Sequence, residues 1–460
     1  MRPSDAASVP SGLVLGTATS AFQVEGGADD DGRGASIWDR FCNRPGAIAT
    51  GDDARVAADH RHRMPEDVAL MASLGIEAYR FSVSWPRVVP EGRGAVSQPG
   101  LDFYRALVDD LLAAGIEPVA TLYHWDLPQS LEDEGGWPAR RTAEALGEVA
   151  AVLGAALGDR VRRWTTVNEP WCASMLGYAA GVHAPGRTEP GAAVAAAHHL
   201  LLGHGLAVDA LRATAGRDVE VAITLNPYPV VTAGPTDADA DAARRVDGIA
   251  NRLWYDAVLR GRYPEDVMED VGAVTDLRHV REGDLRQIAR PLDALGINYY
   301  RRHHVRHRRG ASASGPSAQW PGSPDIELVT PAGPRTDGGW AVEPEGLHEA
   351  LVHVATAYDP PPLFVHEAGA AYDDEVGADG EVHDDGRVAW LDAHLRAAVA
   401  AMDDGVDLRG FFVWSLLDNF EWAEGYSHRF GIVHVDFATQ VRTPKASARW
   451  YRGVIAGRAR

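Results

Sequence analysis

Cysteine is almost absent from this chain of 460 residues, which contains only Cys42 and Cys172. Two cysteines cannot form the disulfide framework of a small secreted protein, and their scarcity is consistent with a reducing compartment. The segment 1–10 lacks the basic and apolar parts of a secretion signal. No stretch approaches the roughly 18 uninterrupted apolar residues of a membrane helix. These absences predict a cytoplasmic protein that does not span a membrane.

Positive charge is also in short supply, because 44 Lys and Arg residues face 65 Asp and Glu residues, for a formal net charge of -21. Such a chain repels nucleic acid phosphates and anionic lipid surfaces, so we expect a neutral small molecule as its partner. No glycine-rich phosphate loop follows a predicted strand, and no convincing metal-ligand spacing is present. The sequence therefore predicts neither a cofactor nor a metal, and it leaves the oligomeric state open.

What the chain does contain is an alternation of short β-branched or aromatic segments with longer segments of helical period. This alternation is typical of βαβ units and a parallel sheet. Eight strands are predicted, and they end near Gln23, Trp85, His124, Glu169, Asn226, Tyr300, Glu367 and Trp414. Eight repeats predict a closed (β/α)8 barrel with inserted βα loops, a fold that can exceed about 400 residues as one domain. We therefore expect a single α/β domain over 1–460, with its core at about 12–455.

Helices and loops are expected between these strands. The predicted helices lie at 65–74, 101–114, 141–156, 191–213, 242–259, 344–357 and 388–402. Loops rich in Gly, Ser, Pro and Asp, at 29–34, 310–324 and 373–386, are expected on the surface around the barrel mouth. The basic segment 301–309 follows the sixth strand, and we interpret it as a solvated loop edge, since dense arginines repel a metal cation.

Two glutamates stand at the ends of apolar, β-branched strands. Glu169 follows the segment Thr165–Asn168, and Glu367 follows Phe364–His366. In (β/α)8 barrels the catalytic groups lie at the carboxyl ends of the strands, so both glutamates should face one site. Hydrolysis of a sugar acetal needs one carboxyl group to protonate the departing oxygen and one carboxylate to attack the anomeric carbon. Held about 5–5.5 Å apart, this pair would act with retention of configuration.

Six segments around these residues form an ordered set of motifs: Ser20–Gly26, Tyr79–Arg87, Leu122–Pro128, Thr166–Pro170, Gly296–Tyr300 and Trp414–Gly431. In content and in order they resemble the motifs of glycoside hydrolase family 1, the family of β-glucosidases and β-galactosidases. Such an ordered set is far more specific than any single motif. The resemblance implies a retaining exo-β-glycosidase of the β-glucosidase type that acts on a small β-glycoside or oligosaccharide. It leaves room for β-fucosidase and β-galactosidase activity.

The resemblance also implies a role for each matching residue. Glu169 corresponds to the acid/base and Glu367 to the nucleophile, with Arg80 and Tyr300 supporting the carboxylate of the nucleophile. The residues implied in substrate binding are Gln23, His124, Trp125, Asn168, Asn298, Tyr300, Trp340, Trp414, Glu421 and Trp422. They combine polar groups that can pair with hydroxyls and flat rings that can cover a pyranose. A carboxylate at Glu421 would repel a phosphate, which disfavours 6-phosphoglycosides.

One segment departs from the family's pattern. Where the family has Thr-Glu-Asn-Gly, this chain has His366, Glu367, Ala368 and Gly369. Ala368 cannot form the hydrogen bonds of an asparagine, and His366 either adds a titrating group near the site or packs between strand and helix. The expected enzyme therefore has an altered pH profile or specificity. A transglycosylating enzyme and a catalytically impaired sugar-binding homologue stay open as alternatives.

Overall fold

A closed barrel of eight parallel strands forms the centre of the computed structural model, which describes residues 9–310 and 318–458. The strands are β1 (Val14–Ala18), β2 (Ala78–Ser82), β3 (Glu117–Tyr123), β4 (Arg163–Asn168), β5 (Glu220–Leu225), β6 (Val230–Thr232), β7 (Leu295–Tyr299), β8 (His303–His307), β9 (Ile326–Val329), β10 (Leu363–Ala368), β11 (Leu408–Trp414), β12 (Val433–Val435) and β13 (Arg442–Pro444). In the barrel, β1, β2, β3, β4, β5, β7, β10 and β11 pair in that order, and β11 closes the ring against β1. The predicted (β/α)8 barrel is confirmed.

Helices cover the outside of the barrel and some of its loops. They are α1 (Ala21–Val24), α2 (Ile37–Cys42), α3 (His60–Leu74), α4 (Trp85–Val88), α5 (Gln98–Ala113), α6 (Gln129–Asp133), α7 (Arg140–Leu157), α8 (Pro190–Thr214), α9 (Asp237–Asp247), α10 (Leu253–Tyr255), α11 (Glu265–Val271), α12 (Asp284–Ile288), α13 (Pro344–Tyr358), α14 (Asp385–Asp403) and α15 (Ala446–Gly457). The predicted helix at 242–259 is interrupted, because α9 gives way to π-helical turns at Gly248–Arg252 and Asp256–Arg260. The predicted loop at 310–324 lies partly outside the described residues.

Local sequence explains where the covering helices begin and which face they bury. At the start of α5, the Oγ of Ser97 accepts a hydrogen bond from the backbone N–H of Gly100 at 3.2 Å. The apolar residues Leu107 and Leu111 then recur on the face that packs inward. By length and hydropathy α8 would suit a membrane span, but 83% of its apolar stretch is buried inside the protein. Its composition is therefore that of a core helix.

Two barrel strands are shorter than the sequence predicts. The first is expected to reach Gln23 but ends at Ala18, because Ser20 begins the short helix α1 and its Oγ bonds to the Gln23 side chain at 2.6 Å. The second is expected to reach Trp85 but ends at Ser82, since a proline in the first turn of α4 favours helix there. In both places the chain turns into a helix as it leaves the carboxyl end of the barrel.

The interpretation of 301–309 as a solvated loop edge is wrong. Within this segment β8 pairs in parallel with β6 and antiparallel with β9, forming a three-stranded sheet beside the barrel mouth. His303 and Val305 are buried on one face of β8, while Arg306 points to solvent. Alternate side chains of β8 are buried, as in a strand with one face exposed to solvent. The sequence does not show this alternation, because basic residues occupy most positions of the segment.

The last helix holds the seam of the barrel together. The hydroxyl of Tyr451 on α15 lies 3.0 Å from the carbonyl oxygen of Gly16 on β1 and 3.2 Å from that of Phe411 on β11. Just before α15, the buried ammonium of Lys445 donates to Asp374 and to Asp418 at 2.6 Å each. The carboxyl-terminal segment thus bridges the first and the last barrel strands.

Candidate active site

Both candidate glutamates leave their strands at an irregular point. Glu169 follows β4 with a left-handed φ of 46°, and the pairing of β4 with β5 shifts register between Thr165 and Asn168. Glu367 lies where β10 shifts register against β7, just after Val365. Bulges of this kind re-aim a side chain, and a positive φ in a non-glycine residue is strained. The backbone therefore departs from regular strand geometry at the two positions where the carboxyl groups enter the site.

The two carboxyl groups line one cavity of about 220 Å³ at the carboxyl ends of the strands. The predicted site residues on its wall are His124, Trp125, Glu169, Tyr300, Trp340, Glu367, Trp414, Glu421 and Trp422. The others lie behind this wall: Gln23 and Asn168 are 0% exposed, and Arg80 and Asn298 are 1% exposed. The fold thus brings the separate motifs of the sequence together around a single space.

A cation and a hydroxyl hold the carboxylate of Glu367. The Nη1 of Arg80 donates to Oε1 at 2.6 Å, and the hydroxyl of Tyr300 donates to Oε2 at 2.7 Å. Burial raises the pKa of Glu367, and Arg80 and Tyr300 limit that rise because they stabilise the charged form. The environment therefore suits a carboxylate that must stay available as an anion.

Glu169 has a different environment. The Nδ2 of Asn298 donates to its Oε1 at 2.6 Å, and the thiol of Cys172 donates to its Oε2 at 3.0 Å. Among the described residues no cation forms an ion pair with Glu169. Burial, together with the nearby charge of Glu367, raises the pKa of Glu169 to about 7. A substantial fraction of this carboxyl group is therefore protonated at neutral pH and can donate a proton.

An amide network joins the two carboxyl groups. The Oδ1 of Asn168 accepts hydrogen bonds from the Nη2 of Arg80 at 2.7 Å and from the Nδ2 of Asn298 at 3.1 Å. Arg80 also holds Glu367, and Asn298 also holds Glu169, so a continuous chain of hydrogen bonds connects the two. Asn298 serves both carboxyl groups, because it donates to Glu169 at 2.6 Å and its amide also helps to limit the rise in the pKa of Glu367.

A third carboxyl group, Glu421, lies on the same cavity. The Nε2 of Gln23 donates to the Oδ1 of Asn419 at 2.9 Å and lies 3.4 Å from Glu421. Burial and the other carboxylates raise the pKa of Glu421 to about 8. The ring of Trp422 packs against that of Trp125, with centroids 4.5 Å apart. This corner offers a carboxyl group beside indole rings, which is a combination suited to a sugar's hydroxyls and its apolar face.

The two residues that depart from the family's pattern do not line the cavity. His366 lies inside the barrel below it, with Nδ1 2.7 Å from the Oγ1 of Thr224, rather than between strand and helix. Gly296 makes room for this ring, because a Cβ there would come within 2.2 Å of the His366 Nδ1. Burial lowers the pKa of His366 well below its ordinary value, so the ring is neutral. Ala368 is fully buried and packs in the outer core.

Several residues of the cavity wall are missing from the predicted set. Cys172 follows Glu169 by three positions, and the turn after β4 brings the two side chains together, which is a local signal that sequence reasoning could have used. Trp171, Tyr228, Arg301 and His303 also line the cavity. Arg301 and His303 lie in the segment interpreted as a solvated edge, and the dense basic residues there leave no sequence signal that would have identified them.

Comparison with known proteins gives consistent matches over the length of the chain. A family model described as Glycosyl hydrolase family 1 matches residues 5–459. The bifunctional β-D-glucosidase/β-D-fucosidase of Bifidobacterium breve is 45% identical over 457 residues, covering 97% of this chain and 98% of the relative. The psychrophilic β-glucosidase of Micrococcus antarcticus has a TM-score of 0.94 at 48% identity, covering 98% of each chain. The β-glucosidase of Thermotoga maritima in complex with glucoimidazole has a TM-score of 0.92 at 42% identity, covering 98% of this chain and 99% of that one.

Proposed function

The chain belongs to glycosyl hydrolase family 1, and from that premise we propose that Glu169 is its acid/base and Glu367 its nucleophile. It is a glycosidase of the β-glucosidase type, and the family retains configuration at the anomeric carbon. The observation that carries the assignment is the unequal environment of two carboxyl groups on one cavity. Arg80 and Tyr300 bond directly to Glu367 and stabilise its charge, whereas Glu169 forms no ion pair among the described residues and has a pKa of about 7.

In the first step the protonated Glu169 donates its proton to the glycosidic oxygen while an oxygen of Glu367 bonds to the anomeric carbon. The bond between that carbon and the departing oxygen breaks, and the product is a glycosyl ester on Glu367. Arg80 and Tyr300 hold the carboxylate in place for this attack. Protonation of the leaving oxygen by a positioned carboxyl group contributes about 10²–10⁴-fold to such a step.

In the second step water opens the ester. Esterification removes the charge of Glu367, and that charge is one of the causes that raise the pKa of Glu169. The pKa of Glu169 therefore falls in the intermediate, so that its carboxylate can take a proton from the attacking water. Water bonds to the anomeric carbon, the ester bond breaks, and both carboxyl groups return to their starting states.

For the sugar itself we propose glucose, with fucose as a second accepted glycone. The relative from Bifidobacterium breve is named for both activities. Glu421 and Trp422, with Gln23 buried behind them, form one corner of the cavity, where paired polar groups adjoin an indole face; we call it the sugar corner. Initial rates on chromogenic β-glucosides, β-fucosides and β-galactosides with the same leaving group rank these sugars. A β-galactoside turned over faster than either of the other two contradicts this proposal.

Neither alternative from the sequence is favoured by the structure. The hypothesis of a catalytically impaired homologue rests on His366 and Ala368. Within the described residues, neither side chain lines the cavity or forms a hydrogen bond with Glu367. Transglycosylation would use the same glycosyl ester, with an alcohol replacing water as the attacking group. Product analysis with an added alcohol acceptor measures the share of each outcome.

The experiment that tests the assignment is trapping with 2,4-dinitrophenyl 2-deoxy-2-fluoro-β-glucoside. This substrate forms the glycosyl ester but slows its hydrolysis, so the nucleophile stays labelled. Peptide mass mapping should place one added fluoroglucosyl group on the peptide that contains Glu367. The matched control is Glu421→Gln, which removes another cavity carboxyl group and should still be labelled at Glu367. Labelling at Glu169 or at Glu421 in the native enzyme contradicts the assignment.

A further inference from the structure

The wall of the cavity beyond Glu169 is built largely from aromatic rings. We define the outer wall as Trp171, Tyr228, Arg301, His303 and Trp340, all of which line the cavity. The rings of Tyr228 and His303 are stacked, with centroids 3.9 Å apart and an angle of 10° between their planes. The Cζ of Arg301 lies 4.7 Å from the ring centroid of Trp340. A planar organic group entering this space meets apolar faces and one cation.

The guanidinium of Arg301 has no acidic partner within 9–310 and 318–458. Its neighbours in the basic segment differ in this respect, because Arg302 pairs with Glu345 at 2.9 Å and Arg308 pairs with Glu327 at 3.2 Å. Arg301 also donates no hydrogen bond to any described acceptor, although it is half-buried on the cavity wall. Apart from the ring of Trp340, this half-buried cation has neither an acidic nor a hydrogen-bonding partner among the described residues, so its unfilled donors point to a role toward a ligand.

A second polar group on the outer wall is also unfilled. His303 is 3% exposed, and its Nε2 has no hydrogen-bond partner in the described part of the chain. Burial, with the nearby Arg301 charge, lowers the pKa of His303 well below its ordinary value, so the ring is neutral. The outer wall thus combines an unpaired cation with a neutral imidazole that can donate or accept one hydrogen bond.

The outer wall lies on the side of the leaving group. The leaving group must lie beside Glu169, because this carboxyl group protonates its oxygen. Cys172 donates to Glu169 at 3.0 Å, and the Nδ2 of Asn226 lies 3.4 Å from the Cys172 thiol and 3.3 Å from the hydroxyl of Tyr228 in the outer wall. The charge of Arg301 acts on Tyr228, which places the guanidinium on the same side. Glu421 and Trp422 lie in another corner of the cavity, with Gln23 behind them. Within the described residues, Arg301 forms no ion pair with Glu169, Glu367 or Glu421, so its charge is free for a ligand on the leaving-group side.

We propose that Arg301 is a specificity-determining residue that selects aglycones bearing a carboxylate, in particular glucosides of hydroxylated aromatic acids. Trp340 and the other rings of the outer wall pack against the aromatic ring of the aglycone. The planar guanidinium donates two parallel hydrogen bonds to the carboxylate, in the bidentate geometry that arginine favours. The inference rests on the proposed hydrolysis of β-glucosides, and it adds the chemical class of the leaving group.

The test compares two glucosides that share the sugar and the aromatic ring. 4-Carboxyphenyl β-glucoside carries the charge, and 4-carbamoylphenyl β-glucoside replaces it with a neutral amide of similar shape. The measured quantity is the ratio of kcat/KM for the acid to kcat/KM for the amide. In Arg301→Gln this ratio should fall about tenfold, because a charge-assisted hydrogen bond is lost for one substrate only. Arg301→Lys keeps the positive charge but loses the planar guanidinium. Its ratio should lie between that of the native enzyme and that of Arg301→Gln.

The control is Arg308→Gln, which removes the same charge from the same segment at an exposed side chain paired with Glu327. It should leave the ratio at the native value. A ratio that stays within threefold of the native value in Arg301→Gln overturns the inference and leaves Arg301 as a brace for the ring of Trp340. Native turnover of the amide substrate reports separately on the proposed function, since failure there is failure of the hydrolase itself.

Discussion

The two ends of the barrel interior are made from the same eight strands but differ in polarity. The lower end, at the amino ends of the strands, is filled largely by apolar side chains, among them Val119, Ala222, Phe364 and Phe412. The upper end holds three carboxyl groups, each with a pKa raised by burial. One architecture thus packs a stable core at one end and tolerates costly buried charges at the other, where hydrogen-bond networks satisfy them.

Arg80 marks the boundary between these two ends. Its side chain holds Glu367 and Asn168 above, while Thr224 below it bonds to His366. The departure from the family's pattern at His366 therefore belongs to the lower end. If the two ends are functionally separate, changes above Arg80 should alter catalysis, and changes below it should alter stability.

The largest expected effect is that of Glu367→Gln. The amide keeps the size of the side chain but cannot form the glycosyl ester, so kcat should fall by about 10⁴-fold or more. Steady-state hydrolysis of 4-nitrophenyl β-glucoside measures the loss, and circular dichroism checks that the barrel is intact. Retention of more than a hundredth of native kcat would mean that another group attacks the sugar.

Glu169→Gln should have the next largest effect, and it should depend on the leaving group. Without its acid the enzyme should lose about 10²–10⁴-fold in kcat for a poor leaving group. A 2,4-dinitrophenyl glucoside needs no protonation, so the loss in its first step should be much smaller. Equal losses for both leaving groups would be inconsistent with an acid role.

The native enzyme should show the titration of Glu169 directly. Its protonated form is the active acid and its pKa is about 7, so kcat/KM should fall as the pH rises through this region. The measurement is kcat/KM for 4-nitrophenyl β-glucoside between pH 5 and 9. A basic limb that persists unchanged in Glu169→Gln would have to come from another group, for example Glu421.

His366→Leu tests the lower end. It removes the nearer of two partners of the Thr224 hydroxyl inside the barrel, the other being Arg80 at 3.5 Å, so the free energy of unfolding should drop by about 1–3 kcal/mol. Denaturant titration measures this change. The pH profile of kcat/KM should keep its position, because the ring is already neutral in the native enzyme. A shifted profile would show that the two ends are coupled through Arg80.

The smallest effect is expected from Cys172→Ala. The thiol donates to Glu169 and stabilises its charged form, so its loss should raise the pKa of Glu169. The basic limb of kcat/KM should then move to higher pH by less than about one unit. Cys172→Ser keeps a donor at this position and should move the limb less than Cys172→Ala does. A limb that moves to lower pH contradicts the assigned hydrogen bond.

The sequence predicts the frame of the site better than its outer wall. Glu169 and Glu367 stand at the carboxyl ends of strands. In a parallel barrel these ends all lie at the same end of the barrel, whatever the conformation of the loops. Arg301 and His303 reach the cavity only because β8 returns beside the mouth to pair with β6 and β9. That pairing joins segments far apart in sequence, and no local pattern in the basic segment indicates it.

The short ends of β1 and β2 illustrate a second limit. Apolar residues occur beyond Ala18 and beyond Ser82, so a prediction based on hydrophobicity places the ends of both strands too late in the sequence. The chain bends there because side-chain hydrogen bonds at Ser20 and a proline in α4 favour helical turns. These local interactions place Gln23 behind the sugar corner, which a continuous strand would not do.

The seam between β1 and β11, bridged by Tyr451, bears on how the protein is made. β1 leaves the ribosome long before β11 and α15, which follow it far along the chain. During synthesis the nascent chain therefore exposes an unpaired edge of β1 until β11 has been made, and such edges promote aggregation. Removal of α15 would accordingly reduce the yield of soluble protein rather than give a smaller working enzyme.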